Sequence, residues 1–293
     1  MGFKPAASML TSGELQIGHN VTISGPGSAN LAVNGNATFR AFENFASNVT
    51  ISGLTITNGL VSGGTGGAGI LNHGGLALSG CTISNNSATG CCPSGGGIYT
   101  DGGTTLTVTD STISGNSASS DGSGIHSGGA VTVSNSIISG NSANEGGGIT
   151  NAGRPGSLTV ENSIISDNSA LAFGGGIYNA YQATAVATLT NSTISGNSAS
   201  AGGGIANLSF ATPTALTLTS STISGNSSGN GGGLYNTAAA TVTNCTFSDN
   251  FTLAGQANGV GGGGGIQNYA GNMTKIPAAR MCKSHFLRTG SSI

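Results

Sequence analysis

The stretch Asn191-Ser-Thr-Ile-Ser-Gly-Asn-Ser-Ala-Ser-Ala-Gly-Gly-Gly-Ile205-Ala-Asn207 decides the fold, because variants of it recur along nearly the whole chain. A self-similar segment at a steady period is the mark of a solenoid or array. The apolar residue of its T-I-S-G-N core falls at Ile56, Ile83, Ile113, Ile138, Ile165, Ile194, Ile223 and Phe247, in steps of 24–30 residues. The residue closing G-G-G-I falls at Ile70, Ile98, Ile125, Ile149, Ile177, Ile205, Leu234 and Ile266, and the two series alternate without exception. Each repeat therefore carries both.

Ahead of the first marker run pairs such as Leu106/Val108, Val131/Val133 and Leu216/Leu218, interleaved with Thr107/Thr109, Thr132/Ser134 and Thr217/Thr219. Apolar and hydroxyl residues alternate with period two, as along a half-buried strand. Three short strands per repeat are predicted, G-G-G-I-x-N, L-T-V-T and S-T-I-S. Asn, Gly and Ser, which tolerate the left-handed backbone of a tight corner, lie between them.

The asparagines fix how the repeats assemble. One series is Asn86, Asn116, Asn141, Asn168, Asn197, Asn226 and Asn250; a second is Asn72, Asn151, Asn179, Asn207, Asn236 and Asn268, with Thr100 and Ser127 substituting. A third precedes the marker by three residues, at Asp110, Asn135, Asn162, Asn191, Ser220 and Asn244. Coils stacked about 4.8 Å apart would turn each series into a ladder in which every amide donates to one neighbour and accepts from the other. The expectation is an all-β chain, a single right-handed parallel β-helix of about 8–9 coils. It spans residues 13–270, between an unassigned segment 1–12 and a non-repeat basic tail 271–293.

Composition fits a solenoid. Of 293 residues 54 are glycine and 5 % are charged, with a net charge of −2. That balance favours neither nucleic acid nor an anionic membrane, and no apolar run approaches the roughly 20 residues of a membrane span. Met1–Leu10 shows no signal-peptide pattern. Tail residues Lys275, Arg280, Lys283 and Arg288 are four of the seven basic residues. Cys81 and Cys245 share one register six coils apart, roughly 29 Å at the strand spacing, and read as buried fillers in a column of serines. Cys81 with Cys91 or Cys92 is the pairing that would close a surface loop. Metal-type cysteine spacing is absent, and neither metal nor cofactor is expected.

Candidate chemistry is sparse. Asp110 and Glu161 lie on the same side two coils apart, about 10 Å along the axis, at the edge of the separation an inverting glycosidase needs. Asp167 and Asp249 share a register three coils apart. His73 and Asp101 take the same position in neighbouring coils, with Asp121 and His126 in the next, as candidates for a small ligand or acid–base site. Insertions after G-G-G-I-x-N would stack into one loop ridge carrying Arg154, Tyr181 and Phe210, where repeat proteins often bind their ligands. The outward T-x-T pairs would form a flat sheet of hydroxyls and methyls similar to that of ice-binding β-solenoids.

Two likenesses follow from the repeat. G-G-G-I with Phe247-Ser-Asp-Asn250 resembles the G-G-A-I and F-x-x-N signature of polymorphic outer-membrane proteins. N-S-T-I-S-G-N-S-A with L-T-V-T is similar to large bacterial secreted β-helix proteins of the choice-of-anchor type, over roughly residues 11–270. The resemblance implies secretion, surface anchoring and an adhesive role, and it carries no catalytic residues across. The expectation is a piece of a non-enzymatic extracellular scaffold, adhesin-like, with an unknown carbohydrate or protein ligand. A polysaccharide lyase or hydrolase is the alternative, and an ice-binding solenoid a remote one.

Overall fold

A computed structural model describes residues 6–153, 156–180, 185–209, 214–253, 263–269, 272–275, 280–282 and 286–289. Every strand pair in it is parallel, and the chain winds into a β-solenoid of about nine turns. Among the described residues there is no helix, hence none long and apolar enough to cross a membrane.

One coil shows how the sequence makes the turn. Ile205–Asn207 lies in sheet 1, Ala215–Thr219 in sheet 2 and Thr222–Ser224 in sheet 3. The three predicted strands are joined by a fourth, Ser227–Asn230, in sheet 4. Among the described residues the four sheets hold 11, 10, 11 and 8 strands respectively. The fourth strand escaped sequence reading because it is two to four residues of Ser and Ala, too short and too weakly apolar to show a period. It buries its own small seam of Ala68, Ala88, Ala118 and Ala143, apart from the main core.

The main core is a stack of identical layers. Ile205, Leu216, Leu218 and Ile223 are fully buried or nearly so, and their equivalents sit above and below in register. Each such side chain contributes about 1.5–3 kcal/mol on burial. Around Gly202-Gly-Gly204 the glycines have separate reasons. Gly202 has φ +66°, while a Cβ on Gly203 or Gly204 would lie 2.3 Å from the Ser227 carbonyl oxygen or 2.6 Å from that of Gly233. Any other residue there would push coils apart.

Two of the three asparagine series form ladders. Along the first, each Nδ2 donates to the next Oδ1 over 2.8–3.0 Å, from Asn86 to Asn250. That Oδ1 also accepts the preceding asparagine's backbone N–H, and each Nδ2 gives its second proton to a strand carbonyl, as Asn168 does to Ile138. Asn44 joins the second ladder ahead of Asn72; the ladder then breaks at Thr100 and Ser127 and resumes from Asn151 to Asn268.

The third series does not stack inward. Asp110, Asn135, Asn162, Asn191, Ser220 and Asn244 are exposed corner residues with φ between 48° and 52°. They are chosen for tolerance of that conformation. The buried polar column at this corner belongs to their neighbours Ser111, Ser136, Ser163, Ser192 and Ser221. Each Oγ accepts the backbone N–H of the preceding coil and donates to the carbonyl two residues back. Cys81 and Cys245 occupy the column's ends, buried, each thiol on the carbonyl two residues back. That burial removes Cys81 from any pairing with Cys91 or Cys92, both of which are exposed.

Backbone pairing runs beyond the recognisable repeat at both ends. Ala6–Met9 pairs with Leu31–Asn34, and Met273–Lys275, Arg280–Cys282 and Phe286–Thr289 extend sheets 2, 3 and 1. Main-chain hydrogen bonds need no side-chain pattern, so a strand can be added where the sequence signal has ended. Near the start, Phe42 is buried and Phe39 packs against the core, whereas Phe45 is exposed.

Candidate functional site

Charge is concentrated on the outer side of sheet 1 at its N-terminal end. Gln16 and Glu43 are register partners at the middle of their strands. His73 and Asp101 each follow the third residue of a strand, and their backbone N–H groups bond to Asn44 and Asn72 one coil back. Stacking therefore brings them together: His73 Nδ1 lies 2.5 Å from Asp101 Oδ2 and Nε2 lies 3.2 Å from Glu43 Oε1. Phe45 stacks on the imidazole with centroids 5.0 Å apart. Arg40 continues the chain of charges, 3.5 Å from Glu43 and 2.8 Å from Glu14, while its Nε donates to the Gly67 carbonyl. Gln16 Nε2 bridges Glu14 and Glu43.

The electrostatics follow from this geometry. Partial burial alone would lower the His73 pKa, but hydrogen bonds and charge from Asp101 and Glu43 outweigh it and hold the pKa above the ordinary value of 6.5. Burial would likewise raise Glu43; hydrogen bonds with Glu14 and His73, the Arg40 charge and Gln16 bring it below 4.5. Beside the network opens a cleft of about 540 Å³ lined by Glu14, Gln16, Phe39, Arg40 and Val61 among others.

Further along the same face the outward column becomes buried. Tyr99 pairs in register with His126, His126 with Thr150 and Thr150 with Tyr178. His126 stacks on Tyr99 at 4.7 Å with rings 4° from parallel, and Phe173 stacks on Tyr178. Burial lowers the His126 pKa to about 4 against the opposing Asp101 charge, and its Nδ1 has no hydrogen-bond partner. Asp121 and Glu145 bridge on adjacent coils. Burial raises both, and the Asp121 charge raises Glu145 further while Tyr178 opposes it.

The other sequence candidates fall elsewhere. Asp110 and Glu161 are both exposed, but Glu161 ends a strand of sheet 2 and aligns through Ser134 with Thr109, whereas Asp110 is the corner residue after Thr109, two coils away and one residue out of register. They are not brought together. Asp167 and Asp249 occupy left-handed corners, with φ 56° and 53°. Arg154, Tyr181 and Phe210 lie outside the described residues. Among the described residues, Leu208 is buried in a cluster with Ala206, Tyr178 and Ala180. Among the described residues no group of three or more His, Cys, Asp or Glu is arranged to hold a metal ion.

Glu14, Arg40, Glu43 and Glu145 escaped sequence reasoning. Glu43 was findable, since it aligns with the outward position of Leu71 next to His73. The others sit in loops whose path no period fixes.

Parallel coils with this repeat are what the family comparison describes: the model of a right-handed β-helix region matches residues 7–186 and 97–276. The chain belongs to the right-handed β-helix family. No curated protein and no solved structure gives a match. Within this β-helix the charged network and the tyrosine–histidine column both lie on the outer side of sheet 1.

Proposed function

We propose that this β-helix is a non-enzymatic, adhesin-like scaffold of the cell surface, related to the choice-of-anchor type, that binds a carbohydrate or protein ligand through a lateral face. One observation carries the reading. On sheet 2, Thr107, Thr132, Thr159, Thr188, Thr217 and Thr241 stand in register along six coils. Beside them runs a second column of Thr109, Ser134, Glu161, Thr190, Thr219 and Thr243. Hydroxyls repeating at about 4.8 Å offer donors and acceptors, and their methyls offer apolar contact, with Glu161 the single charge among these twelve positions. A ladder-braced coil keeps those columns in register, which lowers the ordering cost of binding.

Binding to a panel of immobilised polysaccharides and cell-surface proteins tests the reading. Thr159→Lys with Thr188→Lys should abolish capture, while Ser166→Lys on sheet 3 should not. New unsaturated or reducing ends on polygalacturonate or alginate, lost in Asp110→Ala or Glu161→Ala, would replace it with the enzymatic reading. Thermal hysteresis lost in the double lysine variant would point to ice instead.

A further inference from the structure

Cys91 and Cys92 form an exposed pair that no role above uses. Side chains of consecutive residues normally diverge along an extended chain. Here Cys92 has φ +70°, a conformation few non-glycine residues adopt, and the turn swings its thiol back until the two sulfurs lie 3.4 Å apart. The loop is tied down on both sides. The Thr89 carbonyl accepts from Gly63, that of Pro93 from Ser120 and that of Ser94 from Gly67. The sulfurs are held close by backbone packed between neighbouring coils, with solvent on the open side.

We propose that Cys91 and Cys92 are a thiol–disulfide exchange site, which a low-molecular-weight disulfide closes into a ring between adjacent residues and small thiols reopen. The Cys91 thiolate attacks one sulfur of RSSR, forming a Cys91–SR mixed disulfide and expelling RS⁻. The Cys92 thiolate then attacks the Cys91 sulfur, forms the Cys91–Cys92 bond and expels the second RS⁻. The protein loses two electrons and two protons, and RSSR becomes two RSH. Cys92 is held back from the first step, because its hydrogen bond with Cys91, the Cys91 charge and the nearby Asp121 raise its pKa; the two Cys91 contributions end once that sulfur is in the mixed disulfide, which frees Cys92 for the second step.

The ring is readily reopened for a geometric reason. Adjacent Cα atoms are about 3.8 Å apart, short of the roughly 4.4–6.8 Å that an unstrained disulfide spans. Strained, exposed disulfides are the labile and regulatory ones. Buried Cys81 and Cys245 take no part.

The test uses the full chain carrying Cys282→Ser, treated with oxidised glutathione and read by intact mass and peptic mapping. The expected product has lost two hydrogens, retains no glutathione and links Cys91 to Cys92. Adding Cys91→Ser should stall the reaction with one glutathione held on Cys92. Reduced glutathione without denaturant should restore both thiols of the paired form. Glutathione adducts that persist on Cys91 or Cys92, an unmodified chain, a link to Cys81 or Cys245, or a ring that small thiols cannot open would each overturn the proposal.

Discussion

At the scale of the residue, the asparagine amide does what no apolar side chain can. It has two donors and one carbonyl oxygen, and a position such as Asn168 uses all of them at once, on Asn141, Asn197 and Ile138. Where a ladder starts, one group is left over. Asn151 Oδ1 is buried without a partner because the preceding coil offers Ser127, whose hydroxyl is turned to Gly129. Ser127→Asn should supply the missing donor and stabilise the protein by about 1 kcal/mol, read as a higher urea midpoint. His126 makes a second residue-scale prediction. Its folded pKa of about 4 against 6.5 means the unfolded chain takes up a proton first as pH falls. Its contribution is therefore intact above pH 6.5 and lost towards pH 4, roughly 3 kcal/mol in all. Urea titrations at stepped pH should show that slope, and His126→Gln should remove it.

At the scale of the element, strands were legible where side chains alternate and invisible where they do not. L-T-V-T and S-T-I-S announce their faces, and the marker isoleucines fall in register. The Ser-Ala strand shows no alternation, and the third asparagine series looked like the other two because one residue type serves both a ladder and a left-handed corner. Only φ separates the two uses, and a sequence does not display φ. The adjacency of His73 and Asp101 could be read from the repeat, whereas the reach of Arg40 and Glu14 could not, since loops set it. In that cluster the raised His73 pKa contributes stability below pH 6.5 that is lost as pH rises through its folded value. The lowered Glu43 pKa contributes stability above 4.5 that is lost as pH falls through its own. NMR titration should place the His73 midpoint above 6.5, and Asp101→Asn should bring it down. Sheet 3 carries exposed Ile137 and Ile164 side by side, where the coils on either side have Thr112 and Thr193. Replacing both with threonine should alter stability by less than about 0.5 kcal/mol each and reduce self-association in light scattering.

At the scale of the whole molecule, a solenoid is held by nearest-neighbour contacts, so damage to one rung should remain local. Apolar layers supply most of the burial, but they do not by themselves fix the vertical register of coils whose lengths vary from 24 to 30 residues. The amide ladders do, because a coil slipped by one residue would strand a buried donor and acceptor at every rung. Fixed register is also what keeps the threonine columns of sheet 2 aligned. Hydrogen–deuterium exchange with urea unfolding on Asn168→Ala, beside Asn162→Ala at the exposed corner of the same coil, tests this most directly. The account predicts a loss of about 3 kcal/mol or more for Asn168→Ala, with exchange rising at Asn141 and its neighbouring coils, and for Asn162→Ala only the left-handed corner's cost of about 1 kcal/mol, with exchange at Asn141 unchanged. Equal losses, or an unchanged exchange rate at Asn141 in Asn168→Ala, would contradict it.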